Sequence, residues 1–162
     1  CERNNALVWQ FDPAPDFLEA AVREIEDDVG RHLENGYESE VSPGLSGWVG
    51  DLAERVRQGM ILLIDYGLTR REYYAPDRND GWLHCHFRQH VHGNPLILPG
   101  IQDITAWVDF TAVANVAVEA GLSVNGYASH GPFLLRGGLD LEFADFTALS
   151  DTRLAPLSGH AK

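Results

Sequence analysis

The sequence predicts an α/β fold, and three observations carry that prediction. A continuous apolar run, Met60-Ile61-Leu62-Leu63-Ile64, follows a helical period directly and ends in Asp65-Tyr66-Gly67. Strands buried on both faces read this way, because helices cover each side of a parallel sheet. In residues 16–33 the apolar positions Leu18, Val22, Ile25, Val29 and Leu33 fall at spacings of four, three, four and four, which is one face of a helix. Finally, a helix-like run over residues 110–120 is followed at once by a strand-like segment over 122–127, so helix and strand alternate along the chain.

The elements follow in order. Residues 6–11 are rich in strand formers and stop at Asp12-Pro13-Ala14-Pro15, which predicts a short strand. The helix over 16–33 carries Arg23, Glu24, Glu26, Asp27 and Asp28 on its other face, with Gly30 weakening its last turn. Asn35-Gly36 signals a turn, and residues 37–41 alternate as a short strand would before Pro43-Gly44. Ser46 is placed to cap a helix whose inward face is Trp48 or Val49, Leu52 and Val56, with Gly59 as a left-handed stop. The apolar strand over 60–65 comes next. Residues 68–102 show no strong period and read as a long functional loop with small irregular elements. Asp109 is placed as the N-cap of the 110–120 helix and Gly121 as its stop, and Phe133-Leu134-Leu135 begins a final helix.

Composition narrows the function classes. The chain has 162 residues, 44% of them apolar, with four Trp, seven Phe and five Tyr, enough to bury the core of about one domain. A formal charge of −12 and a pI near 4.8 argue against nucleic-acid and anionic-membrane partners, since both depend on Lys and Arg. A basic protein partner is favoured instead, and a homo-oligomer stays open. Two cysteines, Cys1 and Cys85, give no disulfide framework. No apolar run approaches the roughly 20 residues of a membrane span, and the first residues have neither the basic start nor the apolar middle of a signal peptide. The start at Cys1 predicts that the chain continues upstream. The lack of an Arg-rich leader favours a bacterial cytoplasmic setting over a mitochondrial one.

Several residues could carry chemistry. In α/β sheets ligands bind beyond the carboxyl ends of the strands, which puts Asp65, Tyr66 and Gly67 at the expected place. A carboxylate closing a buried strand is costly unless paired, so Asp65 either caps loop amides or meets substrate. Asp103 and Asp109 carry the same two readings, with the N-cap as the structural one for Asp109. Arg70, Arg71, Arg78 and Arg88 either steer an acidic substrate or pair with nearby carboxylates. His84, His86, His90 and His92 form an HxHxxxHxH run beside Cys85, yet no HExxH or paired CxxC spacing fixes a metal geometry, so no metal is assigned. No GxSxG, GxxxxGK[ST] or GxGxxG occurs anywhere.

The motifs in sequence order resemble one known family. Ile64-Asp65-Tyr66-Gly67 comes first, then His92 ahead of Pro99-Gly100, Asp103-Ile104-Thr105, Val108-Asp109-Phe110, and the Phe133-Leu134-Leu135 box. Together, over residues 36–139, they are similar to the MidA family of S-adenosylmethionine-dependent methyltransferases, whose mitochondrial branch methylates an arginine on a respiratory complex I subunit. The resemblance implies a partial Rossmann-like (class I) methyltransferase fold: the second half of the sheet, with residues 60–65 as the fifth strand and 122–127 as the sixth. Residues 1–35 would belong to an inserted substrate-side region, and 140–162 form a weakly patterned tail. The glycine-rich loop that holds S-adenosylmethionine would lie upstream of residue 1, so no residue here is assigned to the cofactor and the segment alone is expected not to bind it tightly.

The function so implied is arginine methylation of a protein substrate, in a segment lacking the main cofactor loop, with a role in complex I assembly. Asp65 and Asp103 would be the catalytic carboxylates, holding a guanidinium and taking its proton. Tyr66, Gly67, His92, Thr105 and Asp109 would bind substrate. The competing reading is a non-catalytic assembly module that docks through the 68–102 loop, using Tyr73, Tyr74, Trp82 and Phe87 as anchors.

Overall fold

The computed structural model describes residues 2–3 and 6–141. The chain divides into two compact units, Cys1–Ser123 and Val124–Lys162. The first unit holds β1 (Glu2–Arg3), β2 (Ala6–Leu7), α1 (Asp16–Val29), α2 (Leu45–Arg55), β3 (Gly67–Leu68), α3 (Arg70–Tyr73), β4 (His84–Phe87), β5 (His90–His92), β6 (Asp103–Thr105), β7 (Val108–Asp109) and α4 (Phe110–Glu119). In the second, α5 (His130–Arg136) contains the Phe133-Leu134-Leu135 box as expected. Most of the 140–162 tail lies outside the described residues.

Local chemistry sets the helix ends. α1 begins after Pro15, whose fixed φ suits an extended residue just before a helix, and Gly30 at φ 72° ends it in a left-handed cap. Leu33 therefore falls outside the helix but still packs on the core. α2 begins at Leu45, so Ser46 lies inside the helix and caps nothing. Of its two candidate inward residues, Val49 is buried and Trp48 is exposed. α4 is as expected: the Asp109 carboxylate accepts N–H bonds from Thr111 and Ala112, and Gly121 follows the helix at φ 84°. Helix α2 packs on α4, and α1 packs on α3.

The 68–102 loop carries more order than its composition suggested. Strands β5, β4 and β6 form a three-stranded antiparallel sheet in that spatial order, with Cys85 opposite His92 and Ile104. The β4–β5 hairpin turns through Arg88 and Gln89, at φ 47° and 68°. That is the sign pattern of a type I′ turn, built here without the glycine it favours. The alternation over 37–41 yields only a single bridge, Glu38 to Asp80.

The core corrects the docking-loop reading. Ile25, Tyr73, Tyr74 and Trp82 form the buried cluster, with Val29, Leu33, Tyr37, Val41 and Leu68 around it. Tyr73, Tyr74 and Trp82 are at most 5% exposed, so these aromatics hold the fold and offer nothing to a partner.

The strand predictions need three corrections. Of residues 6–11 only Ala6–Leu7 form a strand, because their antiparallel partner is no longer than Glu2–Arg3, and Trp9 and Phe11 stay exposed. Among the described residues, 122–127 and 60–65 form no strand. The second of these was expected in the interior between helical layers; instead Met60, Leu62 and Ile64 are 78%, 59% and 70% exposed. No described strand lies beside this run to pair with it, so its apolar side chains have no layer to enter. Pairing starts only at Gly67.

Candidate functional site: the Tyr66 and Trp107 corner

Two strand-to-helix turns lie side by side in the first unit. β3 runs parallel to β7, with Gly67 opposite Val108 and Leu68 opposite Asp109, and the Val108 N–H donates to the Tyr66 carbonyl at 2.9 Å. Gly67 makes this approach possible. A Cβ there would lie 2.4 Å from the Val108 carbonyl oxygen and 2.6 Å from the Phe110 ring, closer than real Cβ atoms come. After β3, Thr69 leads into α3, with the Glu72 carboxylate accepting from the Thr69 N–H and hydroxyl. After β7, Asp109 leads into α4.

Arg70 locks the two turns together. Its Nε donates to Asp109 Oδ2 at 2.9 Å, its Nη1 reaches Glu24 at 2.8 Å and also Asp28, and its backbone N–H donates to Thr111 Oγ1. Burial by itself would weaken the hold of the guanidinium on its proton, but Glu24, Asp109 and Asp28 outweigh that and raise its pKa. Asp109, expected to bind substrate, has both oxygens committed to the α4 N-terminus and to Arg70.

Glu40 is a second, half-buried tie. Its carboxylate accepts the N–H groups of Trp82 and Leu83, both at 2.9 Å, and the Tyr73 hydroxyl, while its carbonyl accepts the Tyr74 hydroxyl. Burial, with the Glu40 charge next for Tyr73 and the Asp109 charge next for Tyr74, pushes both phenols above their usual range.

The remaining predicted residues fall on accessible parts of this corner and of the small sheet. Asp65 is exposed, and its Oδ1 accepts the Tyr66 N–H at 2.7 Å. Tyr66 is 79% exposed. Asp103 and Thr105 lie on β6 opposite His86 and His84, and the Thr105 hydroxyl donates to the His84 carbonyl. His92 accepts the Asn94 N–H at Nδ1, and its buried Nε2 has no hydrogen-bond partner among the described residues. Asp65 and Asp103 carry no ion pair among the described residues, which leaves both carboxylates open to a cation. No three metal-ligating side chains converge among the described residues, and none of the described helices is long and apolar enough to cross a membrane.

Sequence reading missed Trp107. Its ring stacks on Trp82 at 4.5 Å between centroids, with planes 22° apart, and it lies 6.5 Å from the Tyr66 ring. The available signal was its place directly before the Val108-Asp109-Phe110 motif. Arg70 was noted only as one of several loop arginines, and Glu40 carried no local signal.

Comparison with known proteins adds to this geometry. Residues 2–128 match the model of a family described as "Putative S-adenosyl-L-methionine-dependent methyltransferase". Over 107 residues the chain is 35% identical to the mitochondrial protein arginine methyltransferase NDUFAF7 homolog of Drosophila melanogaster, covering 64% of this chain and 21% of that protein. A Burkholderia thailandensis structure bound to S-adenosyl-homocysteine superposes with a TM-score of 0.82 at 31% identity, over 97% of this chain and 39% of that one. A native structure from the same organism gives 0.82 at 32%, over 97% of this chain and 41% of that one. The chain thus spans about a fifth of the curated relative and about two fifths of the solved structures. It has the α/β methyltransferase fold over that span.

Proposed function

The chain belongs to this family of S-adenosyl-L-methionine-dependent methyltransferases, and we propose that it forms the acceptor-side part of such an enzyme, acting on an arginine of a protein substrate. The observation that carries the reading is the Tyr66 and Trp107 corner: two parallel strands turning into helices, with Asp65 exposed beside it, Asp103 exposed on β6, and neither carrying an ion pair among the described residues. Support for a cofactor of the S-adenosylmethionine type comes from the family and from the S-adenosyl-homocysteine-bound neighbour. The described residues do not enclose such a group. The chain has no glycine-rich nucleoside loop, and the notch beside Arg31, Glu34, Tyr37 and Asn79 holds only about 70 Å³, against the 300 Å³ or more of a typical ligand site.

When bound, the cofactor supplies a methyl already activated by its sulfonium. What this chain provides is alignment and a proton acceptor. Asp103 and Asp65 would hold the guanidinium by charge-assisted hydrogen bonds and fix its orientation. One of these carboxylates would take the proton that the guanidinium nitrogen gives up on methylation. Tyr66, Thr105 and His92 line the approach, and Gly67 and Asp109 fix the backbone beneath it. The arginine acceptor is supported by the name of the Drosophila relative, and a respiratory complex I subunit as its bearer rests on the MidA resemblance.

The test uses the protein as its gene encodes it, with labelled S-adenosylmethionine, an arginine-bearing protein, and mass spectrometry to locate the methyl. Asp103→Asn should lower turnover by about 100-fold or more, the scale of a lost acid–base group, while cofactor affinity stays within about twofold. Unaltered turnover removes Asp103 from the mechanism.

A further inference from the structure

The geometry points to Trp107, with Tyr66, as an aromatic platform that selects a guanidinium: one ring fixed on the core, the other exposed, and an unpaired carboxylate in reach. The inference rests on the arginine reading above and names the residue that would set its specificity. Trp107 ends a row of rings that starts in the core, with Tyr73 and Tyr74 at 4.8 Å, Tyr73 and Trp82 at 5.6 Å, and Trp82 and Trp107 at 4.5 Å between centroids. Trp82 is held by its Nε1–H on the Tyr73 carbonyl and by its backbone N–H on Glu40, so Trp107 stacks on a fixed surface. Yet Trp107 itself is 37% exposed, and Tyr66 beside it is 79% exposed. Two large aromatics left open at a strand terminus are not explained by core packing.

Their relative placement follows from the backbone. Gly67 pairs with Val108 in a parallel ladder, so the residues one step earlier, Tyr66 and Trp107, take matching places and project to one side. Asp65, one Cα step of about 3.8 Å before Tyr66, is exposed and sets a carboxylate beside the platform. Four residues span at most about 14 Å, so Asp103 stays within that distance of the platform.

The chemistry selects the occupant. A planar cation lying within about 6 Å of an indole or phenol centroid is attracted by the ring quadrupole, and a guanidinium stacks there while its edges remain free for a carboxylate. The same row already carries one guanidinium, with the Arg78 Cζ lying 4.8 Å from the Trp82 ring centroid. A formal charge of −12 favours a cationic acceptor over an anionic one. An ammonium gains less from this arrangement, because it cannot lie flat on the ring and bind a carboxylate bidentately at once.

The experiment measures methyl transfer by the protein as its gene encodes it, on a short glycine-flanked peptide with a single arginine and on its lysine counterpart. Trp107→Leu should raise KM for the arginine peptide about 10-fold, with kcat and cofactor Kd within about twofold, and Trp107→Phe should recover most of that loss. Tyr66→Leu removes a ring outside the core and should raise KM about threefold, so the inference does not depend on the folding of the Trp107 variant. Values of KM within twofold of wild type in both leucine variants, or a shift in cofactor Kd in place of KM, overturn the platform. A wild-type protein that modifies the lysine peptide and not the arginine one overturns the arginine reading itself, and that result appears before any variant is made.

Discussion

The Arg70 corner and the 60–66 run are adjoining stretches of one chain with opposite economies of burial. Arg70 is charged, 7% exposed at its side chain, and fully partnered. Ile64 is apolar and 70% exposed. In a chain that closes its own core the polarities would be reversed. The polar residue is inside because Glu24, Asp28 and Asp109 surround it, whereas the apolar run is outside because no described strand pairs with it. Burial here follows the partners that are available more than side-chain character.

The sharpest way to break the comparison is at Arg70. Arg70→Met removes the cation and leaves Asp109, at 11% exposure, without its ionic partner. Breaking a buried pair from one side costs about 3–5 kcal/mol, a large share of a domain's stability, and urea denaturation of variant and wild type reads it directly. A loss under 1 kcal/mol would mean that the Arg70 ion pairs behave in solution as exposed pairs do and add little to stability.

The matching change on the other side is Ile64→Ser. If the run stands as described, stability changes by less than about 0.5 kcal/mol in the same denaturation experiment. A cost of about 2 kcal/mol or more would show that a covering layer buries Ile64 in the protein as its gene encodes it, and would restore the interior strand that the apolar pattern predicted.

A smaller effect separates buried from exposed ion pairs. The His32 imidazole lies 2.9 Å from Glu26, which raises its pKa above the ordinary value near 6.5 by a hydrogen bond and then by charge. Glu26 is lowered, chiefly by the same hydrogen bond and then by the Leu33 N–H. The signs follow. The His32 contribution is full below about pH 6.5 and is lost as pH rises through its raised folded value; the Glu26 contribution is full above about pH 4.3 and is lost as pH falls through its lowered one. The pair therefore helps most between those limits. NMR titration should place the His32 midpoint above 6.5, and Glu26→Gln should return it toward that value.

What could be read from the sequence was what the chain decides locally. The Asp109 cap, the Gly121 stop and the α1 stripe each depend on residues within a few positions of one another, and all three are present. The Arg70 network could not be seen this way, because its carboxylates lie 39, 42 and 46 residues distant. Tyr73, Tyr74 and Trp82 looked like surface anchors for a related reason: a stretch without period says nothing of the layer folded above it. The run at 60–65 failed in the opposite sense, since an apolar pattern states a need for cover and not its source. At the candidate site, the β3–β7 pairing that sets Gly67 opposite Val108 and Leu68 opposite Asp109 had no local signal, and Trp107 entered only through its contact with a ring 25 positions earlier.

Cys85 is completely enclosed in the small sheet, opposite His92 on one strand and Ile104 on the other. Only its thiolate reacts with an alkylating reagent, and the reagent reaches it only when the hairpin detaches. With reclosing faster than modification, the labelling rate at that sulfur reports the fraction of time the sheet stands open, a gauge of local stability that needs no engineered probe.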